Sequence, residues 1–349
     1  MMRRVLMTGH EGYIGSVMAP WLVTQGYEVV GLDTGYYREC NLVPPRWTGR
    51  SIDKDIRDVD VEDLRGFDAV VHLAALSNDP IGNLNDDWTA AINARASVHL
   101  AELAREAGVR RFLFSSSCIM YGLQSDAVAI ESSPLDPQTE YARSKVRCEE
   151  GIRELAADGF SPVFLRNGTV YGLSPRMRFD TVLNDMVAQA VTTGQVIVYS
   201  DGRPWRPVVH VEDVARAFQA ALEAPPEVVH NQAFNTGADS LNHQVRELAE
   251  IAVEAVPGAT LDVRAMPSAD QRTYRASFAK FADAFPDFTF RWNARSGARH
   301  LSEAFRSIGL GPGAYDDDRF TRLRWIRHLL DTGRLDHELR WSDSAREVA

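Results

Sequence analysis

A doubly wound parallel α/β sheet, followed by a second, smaller C-terminal α/β domain, is the fold class this sequence predicts, and three observations predict it. In VLMTGHEGYIGSVMAPWLVTQGYEVVGLD, from Val5 to Asp33, a short apolar run meets a glycine-rich turn, an amphipathic helix and a second apolar run. That order reads as strand, loop, helix, strand. Two later runs, FDAVVHLAAL and RRFLFSSS, have the apolar continuity of strands buried on both faces of a parallel sheet. Finally, 349 residues allow a large core and about two domains. The larger domain is expected at 1–170, with 205–232 returning to it. The smaller takes 171–204 and 233–349, including a helical tail.

Each part of the first unit has a physical reason. Gly9 permits a sharp exit from the strand, Gly12 lets the backbone approach a pyrophosphate, and Gly15 lets the helix pack closely. With Tyr13 and Ile14 between them, these glycines open a helix whose N-terminus suits phosphate oxygens. Asp33 ends the second strand, where a carboxylate accepts hydrogen bonds from ribose hydroxyls and repels a 2′-phosphate, which favours NAD over NADP. This is the Rossmann arrangement.

Further along, Ala74 and Ala75 end FDAVVHLAAL with side chains small enough for a cofactor to lie across them. Ser77 and Asn78 follow, placed either to face a ligand at the strand ends or to cap the next helix. That helix runs through WTAAINARASVHLAELAREAG to Gly108 and carries Asn93. The strand RRFLFSSS then leaves the core in a run of serines ending at Ser117.

Composition narrows the function. A formal net charge of -10 argues against a broad nucleic-acid or anionic-membrane surface. No run approaches membrane-spanning length, and a cytoplasmic protein is expected. Cys40, Cys118 and Cys148 form neither a CxxC nor a His-Cys cluster, so no disulfide framework or metal site is expected. Basic positions are almost all Arg; the lysines are Lys54, Lys145 and Lys280 alone.

One of those lysines sits where chemistry needs it. PLDPQTEYARSKVRCEEG offers Thr139 as an N-cap and puts Tyr141 and Lys145 four residues apart, on one helical face. Taking a proton from an alcohol at neutral pH needs a base tuned towards 7, and a tyrosine, ordinarily near 10, is brought down by an adjacent ammonium. Lysine's compact charge can also hydrogen-bond a ribose, which the guanidinium fork does not do equivalently.

The GxxGxxG turn, Asp33, Ser117 and the Tyr141–Lys145 pair together resemble the extended short-chain dehydrogenases/reductases, which act mainly on nucleotide-linked sugars. The resemblance runs from Arg4 to about Lys280. It implies that Ser117 hydrogen-bonds the reacting oxygen, Tyr141 shuttles its proton and Lys145 tunes Tyr141 and holds the nicotinamide ribose. It puts Asp55 and Ile56 at the adenine and Asn93 near the cofactor and lysine. On the substrate side it implies Thr169, Arg176 and Asn184, with Arg206 and Arg272 for a diphosphate. TVYGLSPR is similar to uronic-acid 4-epimerases, where a Thr and an Arg recognise a carboxylate. Homodimerisation through the helices near Asn93 and Tyr141 is likewise implied.

Within that family, 4,6-dehydratases carry an acidic pair just after the catalytic Ser or Thr; here stand Ile119 and Met120. Epimerases at C3 and C5 use a Cys two places after the serine, whereas Cys118 is one place on. Hydride and one proton remain, which suit 4-epimerisation of a nucleotide-diphosphate sugar. Reduction of a ketosugar is the alternative, but Asp33 favours NAD and so a self-recycling enzyme. A non-catalytic NAD-sensing protein would have no use for the Tyr-Lys pair. In the tail, Phe320, Leu323, Ile326 and Leu330 make one helical stripe, expected to close the smaller domain or a subunit edge.

Overall fold

The computed structural model describes residues 4–77, 85–266 and 272–342, with the backbone alone at 125 and 126. The chain opens with β1 (Arg4–Thr8), α1 (Gly15–Thr24), β2 (Glu28–Asp33), β3 (Ser51–Asp53) and β4 (Ala69–His72). It continues through α2 (Ala96–Glu106), β5 (Arg111–Ser117), β6 (Leu123–Ala129), α3 (Glu140–Arg153) and β7 (Ser161–Asn167). Then come β8 (Thr169–Tyr171), α4 (Val182–Thr193), β9 (Gln195–Val198), β10 (Trp205–His210), α5 (Val211–Glu223) and β11 (Gln232–Thr236). The remainder is β12 (Asn242–Gln244), α6 (Val245–Ala255), β13 (Thr260–Val263), β14 (Thr273–Ala276), α7 (Ala294–Ser307) and α8 (Arg322–Asp331).

Seven strands form one parallel sheet in the order β11-β7-β5-β4-β1-β2-β3. Its strands alternate by period 2: Leu6 faces Val70 and Phe112 on one side, while Val5 and Met7 join Met18 and Phe218 on the other. Helices α1 and α5 cover that second face, and α2 and α3 the first. Strand order reverses between β1 and β4, so a crevice opens outside their carboxyl ends.

The smaller domain has its own core, in which Leu183 and Val187 of α4, Leu248 of α6 and Leu301 and Phe305 of α7 pack together. The short sheet β12-β10-β8 and the pairs β13-β9 and β14-β6 carry the chain between the two cores. Strand β11 extends the larger domain's sheet to Thr236, past the boundary expected at 232.

The tail differs from expectation more substantially. Phe320 enters the smaller core, its ring 5.3 Å from that of Phe179. Helix α8 turns the other way: Trp325, Ile326 and Leu329, then Leu335 and Leu339, join the larger domain's core beside Tyr36 and Ile56. Trp325 Nε1 donates to the Tyr36 carbonyl at 2.6 Å and Trp341 Nε1 to that of Thr34 at 2.6 Å. A helical stripe reports that a face is buried and is silent on what buries it. Among the described residues, no helix is long and apolar enough to cross a membrane.

Candidate active site

The crevice is a cleft of about 870 Å³ lined from both domains. Its floor is the glycine turn. Gly9 has φ +74°, and a Cβ there would lie 2.7 Å from the Ala74 amide nitrogen. A Cβ on Gly15 would collide with the Gly9 carbonyl and His10 Cα, so this glycine closes the turn on itself. At Gly12 a Cβ would meet only the Gly9 carbonyl oxygen, at 3.1 Å, leaving its other side open. Helix α1 begins there with no side-chain cap. Gly15→Ala is expected to cost about 1–3 kcal/mol of stability through overpacking; a lowered urea midpoint would register it, and an unchanged one would contradict this close approach.

A dinucleotide fits this floor. An uncapped helix N-terminus offers free donors to phosphate oxygens. The Asp33 carboxylate is aimed by its own loop, accepting from the Glu11 amide at 3.0 Å and the Gly35 amide at 2.9 Å. Arg38, the nearby cation that could have met a 2′-phosphate, is ion-paired to Glu11 at 3.1 Å and to Asp53. Ile56 and Asp55 also line the cleft, although the Asp55 carboxylate is shared with Arg57 at 2.6 Å and Arg340 at 3.5 Å.

Ser117, Tyr141 and Lys145 line the same cleft. Thr139 Oγ1 caps α3 by accepting from the Ala142 amide, which starts the helix so that Tyr141 and Lys145 share a face. Lys145 Nζ donates to the Ser115 carbonyl at 2.8 Å and lies 4.6 Å from the centre of the Phe114 ring and 5.6 Å from that of Tyr141. Burial pushes the Lys145 ammonium down to about 8, against the pull of Cys148 and Glu149. Ser117 ends β5 and accepts from the Ile119 amide at 3.3 Å.

Behind this wall a buried network fixes the strand. Glu149 accepts from Ser116 Oγ at 2.6 Å and pairs with Arg166 at 2.7 Å, and Arg166 reaches the Tyr121 hydroxyl at 3.0 Å. Cys118 points into this interior, its thiol donating to the Arg166 carbonyl at 3.1 Å, and burial pushes its pKa up.

Ala74, Ala75, Ser77, Thr169, Arg206 and Arg272 also line the cleft. Tyr13 lines it as well, although its hydroxyl turns to the Gly172 carbonyl at 2.7 Å. Asn78 lies outside the described residues. Three expected residues lie behind the surface of the cleft. Asn93, in a π-helical turn at Thr89–Arg95, holds Leu76 through its amide nitrogen and carbonyl oxygen at 2.8 and 3.1 Å. Asn184 is fully buried, binding the Gly172 amide at 2.9 Å and the Tyr13 hydroxyl at 3.0 Å. Arg176 runs beneath the glycine turn to the Glu11 carbonyl at 3.1 Å.

The arginine that does enter beside β4 is Arg178, which donates to Ser77 Oγ at 3.1 Å and pairs with Asp180 at 2.8 Å. Arg322 joins it from α8. The RMR spacing in LSPRMRFD marks two arginines pointing different ways, but the segment is neither helix nor strand, so no period assigns their directions.

A parallel doubly wound sheet with this turn, acid and Ser-Tyr-Lys wall defines an extended short-chain dehydrogenase/reductase. More narrowly, the chain belongs to the NAD dependent epimerase/dehydratase family, whose model matches residues 5–237. It is 30% identical over 297 residues to UDP-glucose 4-epimerase of Corynebacterium glutamicum, covering 79% of this chain and 88% of that one. Among solved structures it resembles TunA, an NAD-dependent NDP-hexosamine 5,6-dehydratase of tunicamycin biosynthesis, at TM-score 0.78 and 26% identity, over 87% of this chain and 98% of that one. It also resembles MoeE5 in complex with UDP-glucuronic acid and NAD, at TM-score 0.75 and 28% identity, over 87% and 99%.

Proposed function

We propose that this chain epimerises a nucleoside-diphosphate hexose at C4 through a transient 4-ketosugar, with NAD as resident cofactor. The observation that carries the reading is the meeting of Ser117, Tyr141 and buried Lys145 in one cleft with the glycine turn and Asp33. NAD, when bound, takes hydride from C4 and returns it. Tyr141, entering as the phenolate, accepts the C4 hydroxyl proton and, now the phenol, gives it back to the sugar oxygen when hydride returns, while Ser117 Oγ hydrogen-bonds that same oxygen. The Lys145 ammonium favours the phenolate form of Tyr141 from which that step starts. Arg206 and Arg272 grip the diphosphate, and Arg206 donates to the Arg272 carbonyl, which ties the two together. The ketosugar must turn between the two hydride transfers, and a diphosphate held at its far end lets it do so.

This reaction moves one hydride and one proton and asks for no further acid. Ile119 and Met120, standing where 4,6-dehydratases have their acidic pair, supply none. The same reading takes the protein as a cytoplasmic homodimer paired through α2 and α3, on the strength of the family resemblance. The charge of -10 supports a life away from nucleic acid and anionic membranes.

Denaturing the purified protein and identifying the released nucleotide with its redox state tests the proposal. Near-stoichiometric NAD is expected, together with conversion of UDP-glucose or UDP-glucuronic acid to its C4 epimer without added reductant. An empty protein that takes up NADPH and consumes it with a ketosugar would replace the epimerase by a reductase.

A further inference from the structure

Arg322 is a cation of the cleft for which no ion pair is formed among the described residues. It is 2% exposed, and among the described residues no carboxylate lies within ion-pair distance of its guanidinium. One nitrogen, Nη2, donates to the Arg176 carbonyl at 3.0 Å, the plane lies 4.0 Å from the centre of the Tyr37 ring, and Nη1 has no hydrogen-bond partner. Asp180 serves its backbone instead: Oδ2 accepts the Arg322 amide at 3.1 Å while Oδ1 takes Arg178. A buried guanidinium left one donor short is costly, and an anion in the cleft is the partner that removes the cost.

The neighbours say where in the cleft that anion lies. Arg322 is held to the segment Arg176–Asp180, whose Arg176 touches the Glu11 carbonyl in the glycine turn and whose Arg178 touches Ser77 at the end of β4. Tyr37, beneath the guanidinium, follows Asp33 by four residues. Arg322 therefore belongs to the dinucleotide half of the cleft, between the ends of β2 and β4, whereas Arg206 stands on β10 and Arg272 just before β14. Resting on the NAD reading above, we propose that Arg322, carried into the cleft by the C-terminal tail, is a dinucleotide-binding residue that with Arg178 neutralises the pyrophosphate across from Gly12. The tail thereby contributes a ligand to a site whose other parts come from the first 180 residues. Burial, with a smaller push from neighbouring Arg178, holds the Arg322 pKa down against the opposing pull of Tyr37 and Asp180.

The test compares Arg322→Met with the parent protein, stripped of nucleotide, by calorimetric titration with ADP-ribose, adenosine and UDP. ADP-ribose carries the pyrophosphate without the nicotinamide, and adenosine lacks it. The expected result is a roughly 10- to 100-fold weaker affinity for ADP-ribose, with adenosine and UDP unchanged. Arg322→Lys, which keeps the charge but not the fork, should fall between the two and guards against a variant that merely unfolds. Equal weakening for adenosine would make Arg322 a brace of the adenosine wall, weakening confined to UDP would put its anion on the sugar nucleotide, and unchanged affinities would leave it structural; each overturns the proposal. The epimerase reading fails separately, if the parent protein binds ADP-ribose normally yet converts no nucleotide sugar.

Discussion

Tyr141→Phe is expected to lower turnover of a nucleotide sugar by about 10²–10⁴-fold, the range that a positioned proton-transfer group contributes, while the protein still purifies with its dinucleotide. The substitution removes one oxygen and leaves the ring beside Lys145. Helix α3 keeps its Thr139 cap, and the cofactor floor at Gly9–Gly15 is untouched. A loss of turnover with bound nucleotide retained isolates the proton step from binding. The measurement is epimer equilibration followed by coupled assay, with nucleotide content read on the same preparation. Unaltered turnover would sink the mechanism.

Lys145→Met is expected to act in two directions at once. Turnover should fall, because the charge beside Tyr141 is gone. Stability of the nucleotide-free protein should rise, because burial holds the Lys145 pKa at about 8 in the fold against 10.5 for the ordinary side chain. With the folded value below the unfolded one, the unfolded chain binds the extra proton between those limits, so the parent protein gains stability as pH rises from 8 towards 10.5. Below about pH 8 the full penalty is present, on the order of 3 kcal/mol less whatever the Ser115 hydrogen bond returns. Urea midpoints at pH 7 and pH 10 should therefore show the variant ahead at the lower pH and the gap narrowing at the higher. A gap that stays constant would contradict the burial account.

The parts of this site that were legible in the sequence are those governed by a period or by a steric rule. Gly9 and Gly15 announce a turn because a Cβ at either would collide with backbone, and Gly12 keeps the space above the turn open. Tyr141 and Lys145 share a face because helix spacing demands it. Arg176 and Arg178 show where such reasoning stops: two residues apart in an irregular segment, one runs under the glycine turn and the other enters the cleft. Asn93 and Asn184 were readable as polar groups in helices, but only tertiary structure reveals that Asn93 is spent on the Leu76 main chain and Asn184 on the Gly172 amide and the Tyr13 hydroxyl. The tail is the clearest case. Its stripe declared a buried face, yet the choice of the larger domain as partner depends on Trp325, Trp341 and Leu339 meeting Thr34 and Tyr36, some 300 positions earlier.

That separation bears on how the protein comes into being. Tyr36 and Leu339, joined by a hydrogen bond, are 303 positions apart. A ribosome releases the glycine turn and β2 well before α8, when the residues that will brace the following segment have not yet been made. Such distant contacts form late, because the closure entropy comes before their reward. The seven-stranded sheet can assemble as soon as β11 emerges; the adenosine side of the crevice gains its hydrogen bonds from Trp325 and Trp341 only afterwards. A nascent chain cut short before α8 would thus fold its sheet around a crevice whose Thr34 and Tyr36 carbonyls lack the Trp341 and Trp325 donors.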